Sequence, residues 1–322
     1  MYLKIINFKK LTPTRSLSNK TSVVANMTVL IRFLTLFTCH VSKWVFLLVD
    51  IGWISQKVKK SFILIIIFFS LNNLYAFELN GKFNQGNLIR GKINPKSKVL
   101  IDGKELRVSS AGFFVFGISK DRKNDVIISV IENGITKQII KKIYKKKYKI
   151  QKIDNLPQKL VTPPKEVYER IKSDNKLIGK ARAVETDLTF FSNKFKPPLK
   201  DAIITGVYGS QRILNGIPKS PHYGLDFAAK EGTKIKAMLD GVVTLAENDL
   251  YYTGGTIIFD HGHGVSTLYM HLKDVLVEEG QSIKQGDLIG TVGKTGRSTG
   301  AHLDIRLNWF SVKLDPMSVL DK

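Results

Sequence analysis

Cysteine is nearly missing from this sequence, whose 322 residues contain one, Cys39. A lone thiol cannot build a disulfide framework, and beyond Cys39 there is none to serve as a nucleophile or as paired zinc-finger ligands. A disulfide scaffold and a cysteine enzyme are therefore excluded, while an oxidising compartment is compatible. Acidic residues are also scarce, 27 against 50 Lys and Arg, which leaves a net charge of +23 and a pI near 9.9. Such an imbalance favours polyanions: nucleic acid, an anionic membrane surface or an acidic envelope polymer. No aromatic-rich ribonucleoprotein signature, zinc-finger cysteine pair or basic zipper accompanies the charge, so nucleic acid is not an expected partner. Long apolar runs are absent too, since none reaches the roughly 20 residues that span a bilayer comfortably.

The nearest approach lies in "KVKKSFILIIIFFSLNNLYAFELN", with a basic start at Lys57 to Lys60, an apolar run from Phe62 to Leu71, and Ala76 just before Phe77. That is the anatomy of an export signal. Residues 57–76 are expected to be a signal peptide or membrane anchor, taking the protein to the periplasm or cell envelope. Residues 1–56 hold two short apolar patches, "VLIRFLTLF" and "WVFLLVDIGWI", and read as a mis-called or poorly ordered extension, with a membrane hairpin as the alternative.

From 77 to 148 short apolar runs alternate with turn residues, and "IDGKEL" and "IENGIT" carry Asp-Gly and Asn-Gly hairpin signals. A small β-sandwich-like domain without histidine is predicted there. Residues 149–196 follow as a linker with one or two helices, on the strength of "KEVYERIKSDNKLIGKARAVE", where Val167, Ile171, Leu177 and Ile178 fall loosely at helical spacing. The lysine run "KKIYKKKYKIQK" reads mainly as a solvated edge and linker. Residues 197–322 form a second all-β unit, rich in glycine, with five of the six histidines.

In that unit, polar chemistry recurs opposite apolar rows. If "SPHYGLDFAA" is extended, His222, Gly224 and Asp226 face one way and Tyr223, Leu225 and Phe227 the other. In "TGAHLDIRLNW", His302, Asp304 and Arg306 alternate with Leu303, Ile305 and Leu307, and in "VSTLYMHL" His271 would share a face with Tyr269. A catalytic zinc takes nitrogen and oxygen ligands and keeps one position open. His222, Asp226 and one member of the His302/Asp304 pair can supply three ligands. His271 and the other member would then handle protons or stabilise an oxyanion. His261 reads as a turn-shaping residue, His263 as a surface turn residue, and Arg306 as a partner of Asp304.

The order "HYGLD", "HGHGVSTLYMHL", "AHLD", with "GQSIKQGDLIGTVGKTG" before the last, resembles the lysostaphin-like or LytM-type zinc metallopeptidases over about residues 203 to 318. The resemblance implies an antiparallel β metallopeptidase domain that cleaves peptide bonds in peptidoglycan stems or cross-links. It implies metal ligands at His222 and Asp226, and catalytic histidines at His271 and His302. The family's third ligand is histidine, and this chain has Asp304 in its place, a competent but shorter and more anionic zinc ligand. The alternative is a catalytically silent domain that binds and activates a cell-wall amidase or divisome partner. Retention of both His271 and His302 favours the enzyme.

Overall fold

The computed structural model describes residues 77–155 and 158–320. The expectations for residues 1–56, for the signal segment 57–76 and for Cys39 lie outside the described residues. Tyr75–Lys322 forms one compact unit.

Its first part is all-β, as the turn signals predict. Strands β1 (Glu78–Asn80), β2 (Leu88–Lys92), β3 (Lys98–Ile101), β4 (Lys104–Leu106), β5 (Phe113–Gly117), β6 (Val126–Glu132) and β7 (Ile135–Lys141) make two antiparallel sheets, β1-β2-β5 and β4-β3-β6-β7. Asp102 and Gly103 turn β3 into β4 with φ of 52° and 83°, and Asn133 and Gly134 turn β6 into β7 with φ of 50° and 77°. Two successive positive φ values match the strand twist in a two-residue hairpin, which is why Asp-Gly and Asn-Gly occupy these positions. Ile89, Val99, Phe114, Phe116 and Ile128 pack between the two sheets.

The segment expected to be a linker with one or two helices opens with a strand, β8 (Ile150–Ile153), followed by a short helix α1 (Gln158–Val161) and a longer one, α2 (Tyr168–Arg182). Of the four residues placed at helical spacing, Ile178 packs into a cluster with Leu245, Leu250, Ile258 and Leu268, while Leu177 is exposed. Polar contacts fix the rest of α2: Asp174 accepts from the Tyr251 amide at 2.7 Å, and Arg170 pairs with Asp249 at 2.8 Å.

The remaining strands are β9 (Ile203–Gly206), β10 (Gln211–Leu214), β11 (Ile217–Pro218), β12 (Leu225–Ala228), β13 (Lys234–Lys236), β14 (Gly241–Leu250), β15 (Gly254–Asp260), β16 (Val265–Val275), β17 (Ser282–Ile283), β18 (Leu288–Val292), β19 (His302–Trp309) and β20 (Val312–Leu314). The large sheet runs β17-β14-β15-β16-β19-β12-β9, with β18 bridging β16 and β13 and with β20 on β19. β8 pairs parallel with β10, and β11 completes that small sheet.

The two β regions share a core. Leu88 and Val115 pack with Leu225, Tyr269, Ile305 and Leu314, whereas their neighbours Ile89, Phe114 and Phe116 point into the sandwich. Alternation along β2 and β5 thus makes one sheet a middle layer. Each fully buried aliphatic or aromatic side chain at that seam contributes about 1.5–3 kcal/mol.

Candidate metal centre and cleft

Antiparallel pairing of β12 with β19 sets Asp226 directly opposite Asp304. The intervening side chains Leu225, Phe227, Leu303, Ile305 and Leu307 enter the core, so the polar face is fixed by the apolar one. Two carboxylates directly across a strand pair repel one another, and glycine makes room for both. A Cβ on Gly206 would lie 2.1 Å from Asp226 Oδ2, and one on Gly224 would lie 2.0 Å from Asp304 Oδ1. His222 is held by its backbone, its amide donating to Ser210 O at 2.8 Å and its carbonyl accepting from Gly209 at 2.7 Å. Its Nε2 lies 3.1 Å from Asp226 Oδ1.

Each carboxylate divides its oxygens between two tasks. Asp226 Oδ2 pairs with Arg212 at 3.4 Å, and Asp304 Oδ2 with Arg306 at 3.1 Å. Asp226 Oδ1, Asp304 Oδ1 and both nitrogens of His222 are buried without a hydrogen-bond partner. One ligand atom from each of these three residues lies within 4.8 Å of the others. Buried orphaned acceptors on facing carboxylates are costly unless a cation satisfies them, and a nitrogen-and-oxygen set of three fits a metal such as zinc with a position to spare. Burial alone would raise the Asp304 carboxyl, but Arg306, His222 and His271 outweigh it and hold the group below its ordinary range.

The structure corrects the predicted face of His271. Between Gly255↔Leu272 and Ile257↔Tyr269 the register slips by one, so Met270 and His271 together oppose Thr256, and His271 has φ of 63°. This β-bulge re-aims the side chain. Tyr269 is buried in the core, with its hydroxyl accepting from the Met238 amide at 2.9 Å, while His271 lines a cavity with Leu268 and Met270. The ring of His271 lies 4.7 Å from that of His302. Nδ1 of His271 donates to Thr295 O at 2.8 Å, and Nδ1 of His302 to Gly300 O at 2.9 Å, leaving Nε2 as the unengaged nitrogen on each. Burial pushes His271 down to about 4, against the opposing pull of Asp304, so the ring is neutral at pH 7.

His222, Asp226, His271, His302, Asp304 and Arg306 all line one cleft of about 590 Å³, and the Asp304–Arg306 pair forms as expected. His261 stays outside it: Nδ1 bonds to Asp240 O at 2.7 Å and Nε2 to Thr267 Oγ1 at 2.8 Å, a satisfied core histidine. His263 is not a surface residue. It is buried with φ of 49°, and its ring sits 4.9 Å from that of Phe191, which covers the turn. Tyr223 lines the cleft instead of the apolar face, because β12 begins only at Leu225. Sequence reasoning missed Gln151 and Ile153 on β8, and Arg212, Arg297 and Lys313. Only the alternation in "IQKI" gave any local sign of β8, and the neighbouring lysines obscured it.

Comparisons with known proteins cover the segment that carries this cleft. Residues 220–316 match the Peptidase family M23 model. Over 98 residues the chain is 42% identical to peptidoglycan DD-endopeptidase ShyA of Vibrio cholerae, covering 30% of this chain and 23% of that protein. It is 41% identical over 98 residues to the DD-carboxypeptidase/endopeptidase Mpg of Neisseria meningitidis, covering 30% of this chain and 22% of that one. The chain thus matches less than a quarter of the length of either relative. A crystal structure of an M23 peptidase from Pseudomonas aeruginosa superposes with a TM-score of 0.51 at 25% identity, covering 74% of this chain and 95% of that chain, so the likeness extends beyond the matched domain. The segment that carries the three convergent residues and both imidazoles, residues 220–316, is thus similar to peptidase family M23.

Proposed function

We propose that this chain is a zinc metalloendopeptidase of the bacterial envelope that hydrolyses peptide bonds in peptidoglycan stems or cross-links. The observation that carries the reading is the convergence of His222, Asp226 and Asp304 through buried, otherwise unpartnered atoms, beside two imidazoles in one cleft. The relatives named for peptidoglycan endopeptidase activity support the substrate class. In this reading His222, Asp226 and Asp304 hold the metal. Zinc bound there would supply Lewis acidity and activate water near neutral pH.

The chain's own residues do the rest. Arg212 and Arg306 hold one oxygen of each ligand carboxylate, which fixes the direction of the other. Thr295 O fixes the His271 tautomer with Nε2 as a proton acceptor, and Gly300 O does the same for His302. With the rings 4.7 Å apart, a proton accepted by either stays within reach of the leaving amine in a peptide bound along the cleft. Export through residues 57–76 and placement in the periplasm or envelope belong to the same proposal, supported by the basic-apolar-small pattern of that segment. N-terminal sequencing of exported protein should find Phe77 first.

The enzymatic test pairs metal analysis with release of peptides from purified peptidoglycan. His222→Ala and Asp226→Ala should lose both metal and activity. His271→Ala and His302→Ala should keep metal and lose about 10²- to 10⁴-fold in rate. A wild-type protein that binds metal, releases nothing and stimulates a separate amidase would replace this reading with a regulatory one.

A further inference from the structure

Behind the metal-ligand cluster lies a second cavity of about 250 Å³, walled by α2, the Tyr252–Thr253 turn, β16 and β19. It adjoins the main cleft, because His271, Arg297, Asp304 and Arg306 line both. Its charge is one-sided: Arg182, Arg212, Arg297, Arg306 and Lys313 line it, and Asp304 is the only carboxylate among the lining residues. Two of these cations have carboxylate partners, Arg212 with Asp226 and Arg306 with Asp304. Arg182 reaches only the Phe310 carbonyl, at 3.3 Å, Arg297 stacks over Tyr252 at 4.3 Å, and Lys313 lies over Tyr223 at 4.0 Å.

Donors are left over as well. Nε of Arg182, Arg212 and Arg306, and Nδ2 of Asn308, are buried without a partner, and Asn308 is only 2% exposed. Burial and the like charge of Arg306 hold the Arg182 guanidinium below its usual value. A group of like charges that repel one another, Arg182, Arg212 and Arg306 half-buried and Arg297 and Lys313 exposed, with buried unused N–H donors around a cavity, is relieved by an anion. Guanidinium forks match the planar two-oxygen geometry of a carboxylate, and the cavity of about 250 Å³ has room for a short carboxylate-bearing side chain.

We propose that this cavity is a carboxylate-binding subsite that takes an anionic group of the substrate peptide within about one residue of the bond that is cut. The proposal rests on the peptidase reading, and it adds a substrate requirement: acidic stem peptides are accepted and their amidated counterparts are discriminated against. Arg182 and Arg297 are the specificity-determining residues, since neither pairs with a metal-ligating carboxylate.

The test uses the full chain loaded with zinc and hydrolysis-resistant reduced-amide peptides. They are supplied in pairs that differ only in a free carboxylate or a primary carboxamide at one position, and binding is read by calorimetry. The acid should bind at least about 10-fold more tightly than the amide, as expected for charge-assisted hydrogen bonds. Arg182→Gln and Arg297→Gln should each cut that preference below about threefold with zinc content unchanged, and Arg297→Lys should restore part of it. Equal binding of acid and amide by the wild type, or a preference that survives both substitutions, overturns the subsite. So does inorganic phosphate binding as tightly as the acidic peptide and abolishing the preference. If the preference is found but purified peptidoglycan releases no peptide, the subsite stands and the peptidase reading falls. If peptide is released without any preference, the reverse holds.

Discussion

Asp304→Asn tests the third ligand, because its effects with and without metal should differ in size. Without metal, the substitution has two opposed consequences. It replaces the carboxylate that pairs with Arg306 at 3.1 Å by a neutral amide; losing the charge partner of a fully buried pair costs about 3–5 kcal/mol, but Arg306 is 31% exposed in its side chain and the amide oxygen can still accept, so a fraction of that applies. It also removes the repulsion with Asp226 directly across the strand pair. Net destabilisation in a chelator should therefore stay near 1 kcal/mol. With zinc at about 100 times its dissociation constant, the wild type gains about 2.7 kcal/mol through linkage, and a variant that has lost the ligand gains almost none. For a unit of this size, at roughly 2–4 °C per kcal/mol, that is a difference of about 5–11 °C in the zinc-induced shift of Tm. Differential scanning fluorimetry with and without zinc measures it. An Asp304→Asn protein whose zinc-induced shift equals that of the wild type would refute the assignment. Asp304→His should bind zinc poorly while Arg306 is present, because a neutral ring leaves the guanidinium uncompensated. Asp304→His combined with Arg306→Gln should recover zinc, read by the same assay.

Gly224→Ala should weaken zinc binding at least about 10-fold, since the new Cβ would stand 2.0 Å from Asp304 Oδ1, and calorimetry of zinc binding checks it. His261, driven by burial to about 4, is neutral in the fold and takes up a proton on unfolding below its ordinary value of 6.5. Its contribution of about 3 kcal/mol is therefore intact above pH 6.5, declines as pH falls and is gone below about 4. Denaturant midpoints of wild type and His261→Gln should converge across that window. Tyr269→Phe leaves the buried Met238 amide without the acceptor it has at 2.9 Å, and should lower stability by about 1–3 kcal/mol in urea unfolding with metal content unchanged.

The parts of the site that were legible are those fixed by strand periodicity. In β19 the alternation of His302, Asp304 and Arg306 with Leu303, Ile305 and Leu307 survives unchanged, because a core on one side leaves no freedom of register. The same rule fails at His271, where a single bulged residue reverses the face, and no local residue type announces it. His263 looked like a turn residue and is one, but whether a turn is covered depends on Phe191, far away in the chain. The strand β8 and the cations Arg182, Arg212 and Arg297 were invisible for a related reason. They reach the cleft or the cavity beside it from separate segments, and the parallel pairing of Ile150–Ile153 with Gln211–Leu214 and the docking of α2 bring β8, Arg212 and Arg182 there.

Asp304 was the feature that kept an inactive domain in contention, and its surroundings weaken that argument. An aspartate in place of a neutral histidine adds one negative charge, and Arg306, two residues further on the same strand face, supplies one positive charge at 3.1 Å. The electrostatic balance felt at the ligand cluster is thus close to that of a His-Asp-His set, so the added anionic charge expected from the sequence is offset locally. Asp304 keeps one carboxylate oxygen paired with Arg306 and the other buried and unpartnered, and one of its oxygens lies within 4.8 Å of a ligand atom of His222 and of Asp226. Gly224 leaves room for this carboxylate, since a Cβ there would stand 2.0 Å from Asp304 Oδ1 and 2.9 Å from Ile305 O.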